Sequence, residues 1–172
     1  ILGHAQGLEV IIKAAARLKE QSNVAFVIVG DGPLSAELKD LNRELGAGVV
    51  FIPNTPKKEV LAMVADAYAY IVVLKKLDLF KGAIPSKIFD PLAFGVPILL
   101  GVEGEAKDLF IDSGDAGIAF EPENEVELVE AVLKMSDDSA WRDRMGSNGR
   151  SYVGEHFNRR KIAKRFLEQL EN

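Results

Sequence analysis

The sequence has no cysteine and only two histidines, His4 and His156. The first absence excludes disulfides and thiolate metal ligation, and it is the usage expected of a protein kept in a reducing, cytosolic setting. The second leaves too few imidazoles, too far apart, for a histidine-based zinc site. Net positive charge is lacking as well. The formal charge is −5, the wrong sign for a nucleic-acid-binding domain. The longest apolar run, Ala67 to Leu74, is far short of the roughly 20 residues a membrane-spanning helix needs. No signal-peptide pattern is present. The chain opens on Ile1-Leu2-Gly3 without an initiator methionine and so reads as an excised piece.

What is present is a globular composition. Apolar residues make up 48% and charged residues 27% of 172 positions, enough for one domain with its own core. Charge is uneven, since Arg159, Arg160, Lys161, Lys164 and Arg165 make the final helix locally basic. No internal repeat, low-complexity stretch or linker interrupts the chain.

Apolar periodicity alternates between two kinds. Leu8, Ile11, Ile12, Ala15 and Leu18 recur at helical spacing, and Val24 to Val29 is a short β-branched run ending in Gly30-Asp31-Gly32-Pro33. Leu34, Leu38, Leu41 and Leu45 mark a second helix, with Pro33 in its first turn. A strand over Val49 to Ile52 precedes a helix opened by Thr55 as cap and Pro56 as first residue. Tyr70 to Leu74 and Pro97 to Leu100 are further strands, separated by a lysine-rich loop and a helix from Ser86 to Phe94 that stops at Gly95. A helix near Glu105 to Asp112 and a strand at Ile118 to Phe120 follow. Asn124 and Glu127 form a capping-box pattern, and two more helices cover about Ser139 to Glu155 and Asn158 to Leu170. Strands separated by helices pair in parallel, and strands that are continuously apolar are covered on both faces. The expected fold is α/β, a Rossmann-like doubly wound parallel sheet with helices on both faces. Ligands of such sheets sit beyond the carboxyl ends of the strands.

That rule makes the loops after strands the candidate site. Gly3-His4-Ala5-Gln6-Gly7 follows a stub of strand and opens a helix, where glycines admit a phosphate and the helix end favours negative charge; a plain tight turn explains the same residues. Gly30-Asp31-Gly32-Pro33 has the same logic, but Asp31 repels a phosphate and favours a structural turn. The third loop, Gly82-Ala83-Ile84-Pro85-Ser86-Lys87, carries most. Ser86 and the first amides of its helix point to the crevice, Lys87 brings a mobile cation for a diphosphate, and Asp90, a turn later, suits the two hydroxyls of a ribose. The bland alternative is a Ser cap, a surface lysine and an i,i+3 ion pair.

Pro85-Ser86-Lys87-Ile88-Phe89-Asp90, followed by Leu92-Ala93 and Gly95-Val96-Pro97-Ile98-Leu99, resembles the "PSK" segment of family-four, GT-B-type glycosyltransferases, in particular the bacterial branch that builds capsule, colanic-acid or O-antigen sugars. Other pieces stand in the family's order: Gln6-Gly7-Leu8, Val27 to Pro33 with its "VGDGP" turn, Val50-Phe51-Ile52, Asp66-Ala67, Gly104-Glu105-Ala106, Gly114 to Ala119, and Arg144-Met145-Gly146 with Asn148-Gly149-Arg150. The resemblance covers essentially the whole chain.

It implies one half of a GT-B fold, residues 1–172 being the nucleotide-sugar-binding domain without the N-terminal acceptor domain. It further implies retaining transfer from a nucleotide diphosphate sugar, commonly a UDP-sugar, to a polysaccharide or lipid-linked acceptor. No metal cofactor is expected, and the fragment alone is expected to be inactive. The setting is cytoplasmic, with peripheral contact at the inner face of the membrane through the full-length enzyme. Partners would be the donor and the missing domain, not nucleic acid. Donor contacts fall on Gly3, Gln6, Gly82, Ala83, Ile84, Pro85, Ser86, Lys87 and Asp90; the catalytic base is not assigned. Of the family's two acidic positions, Asp90 occupies the second and Gly82 replaces the first. His4 and Gln6 stand where the family carries basic residues, moving the cationic clamp to Lys87 or Lys81. Pro91 predicts a kink in its helix. A UDP-N-acetylglucosamine 2-epimerase-like enzyme and a non-catalytic α/β interaction module are the alternatives.

Overall fold

In the computed structural model, which describes residues 1–20 and 23–170, the alternating apolar runs and helical stripes become five strands among the described residues, with helices before, between and after them. The strands are β1 (Val27–Val29), β2 (Val50–Ile52), β3 (Tyr70–Val73), β4 (Ile98–Gly101) and β5 (Gly117–Ala119). The helices are α1 (Glu9–Leu18), α2 (Ser35–Glu44), α3 (Lys57–Ala65), α4 (Phe89–Phe94), α5 (Glu105–Lys107), α6 (Glu125–Asp137), α7 (Ser139–His156) and α8 (Arg159–Leu170). Every ladder is parallel, as the intervening helices require.

Side chains alternate along the strands and divide the core into two layers. Val73 and Leu99 face the layer built from Ile12 and Leu18 of α1, Leu38 of α2 and Leu128 and Met135 of α6. Val72, Ile98 and Leu100 face the other, with Ile88, Leu92, Phe110 and Val153. Helices therefore cover both faces, and each fully buried Leu, Ile or Phe contributes about 1.5–3 kcal/mol.

The sheet is divided rather than continuous. β1 pairs with β2, β3 with β4 and β4 with β5, and no ladder joins β1 to β3 among the described residues. The run from Val24 is assigned as strand from Val27, with Phe26 O already accepting from Val50 N–H.

Several helix ends differ from the sequence reading. Pro56 is extended (ψ 139°) and lies outside α3, while the Thr55 hydroxyl donates to Pro53 O rather than capping the helix. Pro91 does not kink its helix. Ser86–Ile88 is a single 3-10 turn, and α4 starts afresh at Phe89. Pro91 therefore falls in the first turn of α4, where its missing N–H breaks no helical bond. The Asn124 carboxamide oxygen accepts from Val126 and Glu127 N–H as expected, but the Glu127 carboxylate accepts from Glu121 N–H, three residues before the cap, rather than from Asn124 N–H. α5 continues as a π-turn over Asp108–Ser113. In α8 every side chain that is described is exposed; those of Arg165 and Leu170 lie outside the description.

Candidate functional site

The carboxyl ends of the strands gather three glycine-bearing loops, and each is locked by contacts of its own. In the first, His4–Gln6 makes one 3-10 turn between extended Gly3 and left-handed Gly7 (φ 62°). The Gln6 carboxamide oxygen accepts from Gly3 N–H at 2.9 Å, so Gln6 closes this turn. Ala5 O accepts from Lys75 N–H at 2.9 Å and ties the loop to the end of β3. His4 is exposed, and no described contact gives it a role.

In the second loop Asp31 is turned inward on its own chain. Its carboxylate accepts from Gly32 N–H at 2.8 Å and from the Ser35 hydroxyl. The Ser35 bond first, then the Gly32 bond, hold its pKa below the ordinary aspartate value. A Cβ on Gly32 would lie 2.4 Å from Leu2 O, so the glycine is needed for the close passage of Leu2. Asp31 is thereby a turn residue.

The third loop descends from β3 through a 3-10 turn at Asp78–Phe80 and returns at Pro85. Lys81 pairs with Asp78 at 2.7 Å, and its carbonyl accepts from Glu105 N–H at 2.8 Å. Gly104 (φ 75°) makes that approach possible, since a Cβ there would sit 2.2 Å from Lys81 O. Gly82, by contrast, has open space on its Cβ side, with nothing within 4 Å. Ala83, Ile84 and Pro85 are partly buried and Ser86 is exposed at the start of its turn.

Lys87 and Asp90 do not form the i,i+3 pair that their spacing allows. Asp90 lies 4.0 Å from Lys57 Nζ, the first residue of α3. It also faces Tyr70, whose phenol pKa is raised by burial first and then by the Asp90 charge. Lys87 is exposed by residue area, yet desolvation by the protein around its ammonium lowers its pKa. Among the described residues no carboxylate pairs with it. Its charge is the first cause that lowers the pKa of the Ile1 amino group, ahead of burial. Lys87 thus stands where the stub before Gly3 meets the third loop. Of the two cations considered for a displaced clamp, Lys81 is engaged by a neighbour and Lys87 is not.

The structure therefore brings Lys87 to the Gly3 side of the crevice and sets Asp90 toward the loop between β2 and α3. Lys57 and Tyr70 were not singled out from the sequence. Lys57 was in principle legible as the first residue after a strand–turn, whereas the burial of Tyr70 beside a carboxylate is a tertiary effect. Among the described residues no cluster of three or more His, Asp or Glu is arranged to hold a metal ion, and no helix is long and apolar enough to cross a membrane.

Residues 2–152 match the family model described as glycosyl transferases group 1. An uncharacterized glycosyltransferase of Methanocaldococcus jannaschii is 25% identical over 169 residues, which is 96% of this chain and 42% of that protein. The chain thus spans about two fifths of that relative. Among solved structures, Anabaena HepE in complex with UDP superposes with a TM-score of 0.84 at 19% identity, covering 99% of this chain and 46% of the other. Sucrose-phosphate synthase of Thermosynechococcus elongatus gives 0.80 at 20% identity, covering 97% and 42%. At these identities the two structures speak to the fold.

Proposed function

This chain belongs to the group 1 glycosyl transferases, and from that premise we propose that it is the donor-binding half of such an enzyme, holding the nucleotide diphosphate of a sugar donor at the carboxyl ends of β1 to β4. The observation that carries the reading is Lys87: a cation without a carboxylate partner, partly desolvated, at the meeting point of two glycine-bearing loops. An anion placed there recovers the solvation that the ammonium has lost. The amides of Ile84 and Ser86 supply further donors to the phosphates, and Gly3 and Gly7 leave room for them.

Asp90 takes the ribose in this reading. Its exposed carboxylate has two acceptor oxygens, and Lys57, at 4.0 Å, leaves them free to accept a pair of hydroxyls. Charge that builds on the leaving diphosphate is met by Lys87 and by fixed backbone dipoles, so no metal enters the scheme. UDP is the donor nucleotide we favour, in line with the UDP held by Anabaena HepE. Retention of configuration, a polysaccharide or lipid-linked acceptor, and a second domain that completes the cleft belong to the same proposal.

The test is calorimetric titration with UDP, GDP and ADP side by side. Selective binding of UDP supports the donor site. Equal, or no, binding of all three by the full-length protein overturns it.

A further inference from the structure

In the proposed reading the donor lies along the third loop, and the residues that hold it set its order. Asp90 takes the ribose, and Lys87 with the amides of Ser86 and Ile84 takes the diphosphate. Ribose, diphosphate and sugar follow one another in such a donor, so the sugar comes to the stretch before Ile84. Little there is free to meet it. Ala83 N–H donates to Phe80 O, and Lys81 is engaged by Asp78. Gly82 has no side chain, and nothing stands within 4 Å on its Cβ side. From Lys81 to Ala83 the loop offers a sugar no unengaged polar side chain.

The turn after β4 supplies what the loop lacks. A Cβ on Gly104 would meet Lys81 O at 2.2 Å and Lys81 Cα at 3.0 Å, and Glu105 N–H donates to Lys81 O at 2.8 Å. The turn thus runs backbone to backbone against the residue before Gly82. Beside that contact Glu103 lines a small cleft with Leu74, Phe80, Lys81, Val102 and Pro122. Val102 and Pro122 are buried, and Leu74 and Phe80 half-buried, so much of the cleft wall is apolar. Its charged groups are sorted. Lys76 is held by Glu121 and Lys81 by Asp78. Glu103 is half-buried, and among the described residues no hydrogen bond or ion pair takes its carboxylate. Its charge still reaches both lysines: Glu121 first and then Glu103 raise the pKa of Lys76, as Asp78 first and then Glu103 raise that of Lys81. A half-buried carboxylate without a donor has lost hydration that hydroxyl groups restore. An apolar wall beside such a carboxylate suits a pyranose, which offers a C–H face and neighbouring hydroxyls.

We propose that Glu103 is the donor-sugar contact of this chain: its carboxylate accepts hydroxyl hydrogens of the sugar, whose C–H face rests against the apolar wall of the cleft. The proposal rests on the donor-site reading and adds to it the side chain that meets the sugar. It separates the labour of the crevice between two segments. The third loop holds the nucleotide diphosphate, which every donor with that nucleotide shares. The turn after β4 reads the part in which donors differ.

Calorimetric titration of the full-length protein tests it, with UDP, UDP-glucose, UDP-galactose and UDP-N-acetylglucosamine as probes. In Glu103→Ala the affinity for the tightest-bound UDP-sugar of the three is expected to fall about 10-fold or more, the effect of losing a hydrogen bond to a charged group. Glu103→Gln, which keeps one acceptor oxygen, is expected to lose less. UDP itself, which lacks the sugar, is expected to bind both variants as it binds the parent, and that retention shows that they fold. Unchanged UDP-sugar affinity in Glu103→Ala, with UDP still bound, overturns the proposal and leaves the donor site standing. An equal loss for UDP and UDP-sugar also overturns it, assigning Glu103 to the support of the third loop. No binding of UDP or of any UDP-sugar by the parent protein removes the donor-site reading, and this proposal with it.

Discussion

At the scale of single residues, the proposed donor site separates two tasks. Asp90→Ala should weaken UDP binding by about 1.5–3 kcal/mol, the range of hydrogen bonds to a charged group, and should barely alter folding, because its contact with Lys57 is exposed. Unchanged affinity in calorimetry would make Asp90 structural. Lys87→Ala should cost a similar amount, and here pH adds a signature. Burial lowers the Lys87 pKa, so in the folded chain it loses its proton at a lower pH than in the unfolded one. Between those two values the unfolded chain binds more protons, and stability rises with pH. UDP affinity should fall over the same range as the cation disappears. Titrations from neutral to alkaline pH on Lys87→Arg should show no such fall, since arginine stays charged. Gly82→Glu should fold with an unchanged melting temperature, given the open space at its Cβ.

At the scale of elements, close backbone passages set the tolerances. A Cβ on Gly146 of α7 would sit 1.9 Å from Gly95 O. Gly146→Ala must push α7 off the turn that ends α4. It should cost about 1–3 kcal/mol, seen in thermal unfolding as a loss of several degrees. An unshifted transition would mean that α7 is not held there. That passage is not visible in a sequence read alone, because it depends on two segments meeting at backbone level. What was legible is what local chemistry dictates. The stripe Leu8 to Leu18, the strand at Tyr70 and the stop at Gly95 follow from period and from the left-handed turn only glycine takes cheaply. Pro56 and Pro91 were misread for one reason: proline marks a helix start without fixing which residue begins it. The division of the sheet was hidden, since parity of hydrogen bonding leaves no trace in composition. Lys87 was legible by motif, but its lack of a partner was not.

At the scale of the whole molecule, the proposed reading gives the chain one wall of a cleft. The 172-residue chain should bind donor without transferring sugar; turnover with any sugar acceptor, followed by release of the free nucleotide, would overturn the single-wall reading. Its charge is polarised too. The formal total is −5, while Arg159, Arg160, Lys161, Lys164 and Arg165 concentrate positive charge at one end. α8 begins with cations in the first turn, where the helix dipole disfavours them. Ile162, Phe166 and Leu167 are 46%, 60% and 57% exposed, so no apolar packing within the described chain offsets that. The consequence is kinetic vulnerability. A helix of 12 residues that is capped by Asn158 and has no buried side chain among those described opens often, and each opening offers a protease cleavable Arg and Lys bonds. Limited trypsin should cut within α8 before it touches α1 or α6, whose buried stripes pin them to the core. Mass spectrometry should then find a stable product ending between Arg159 and Lys164.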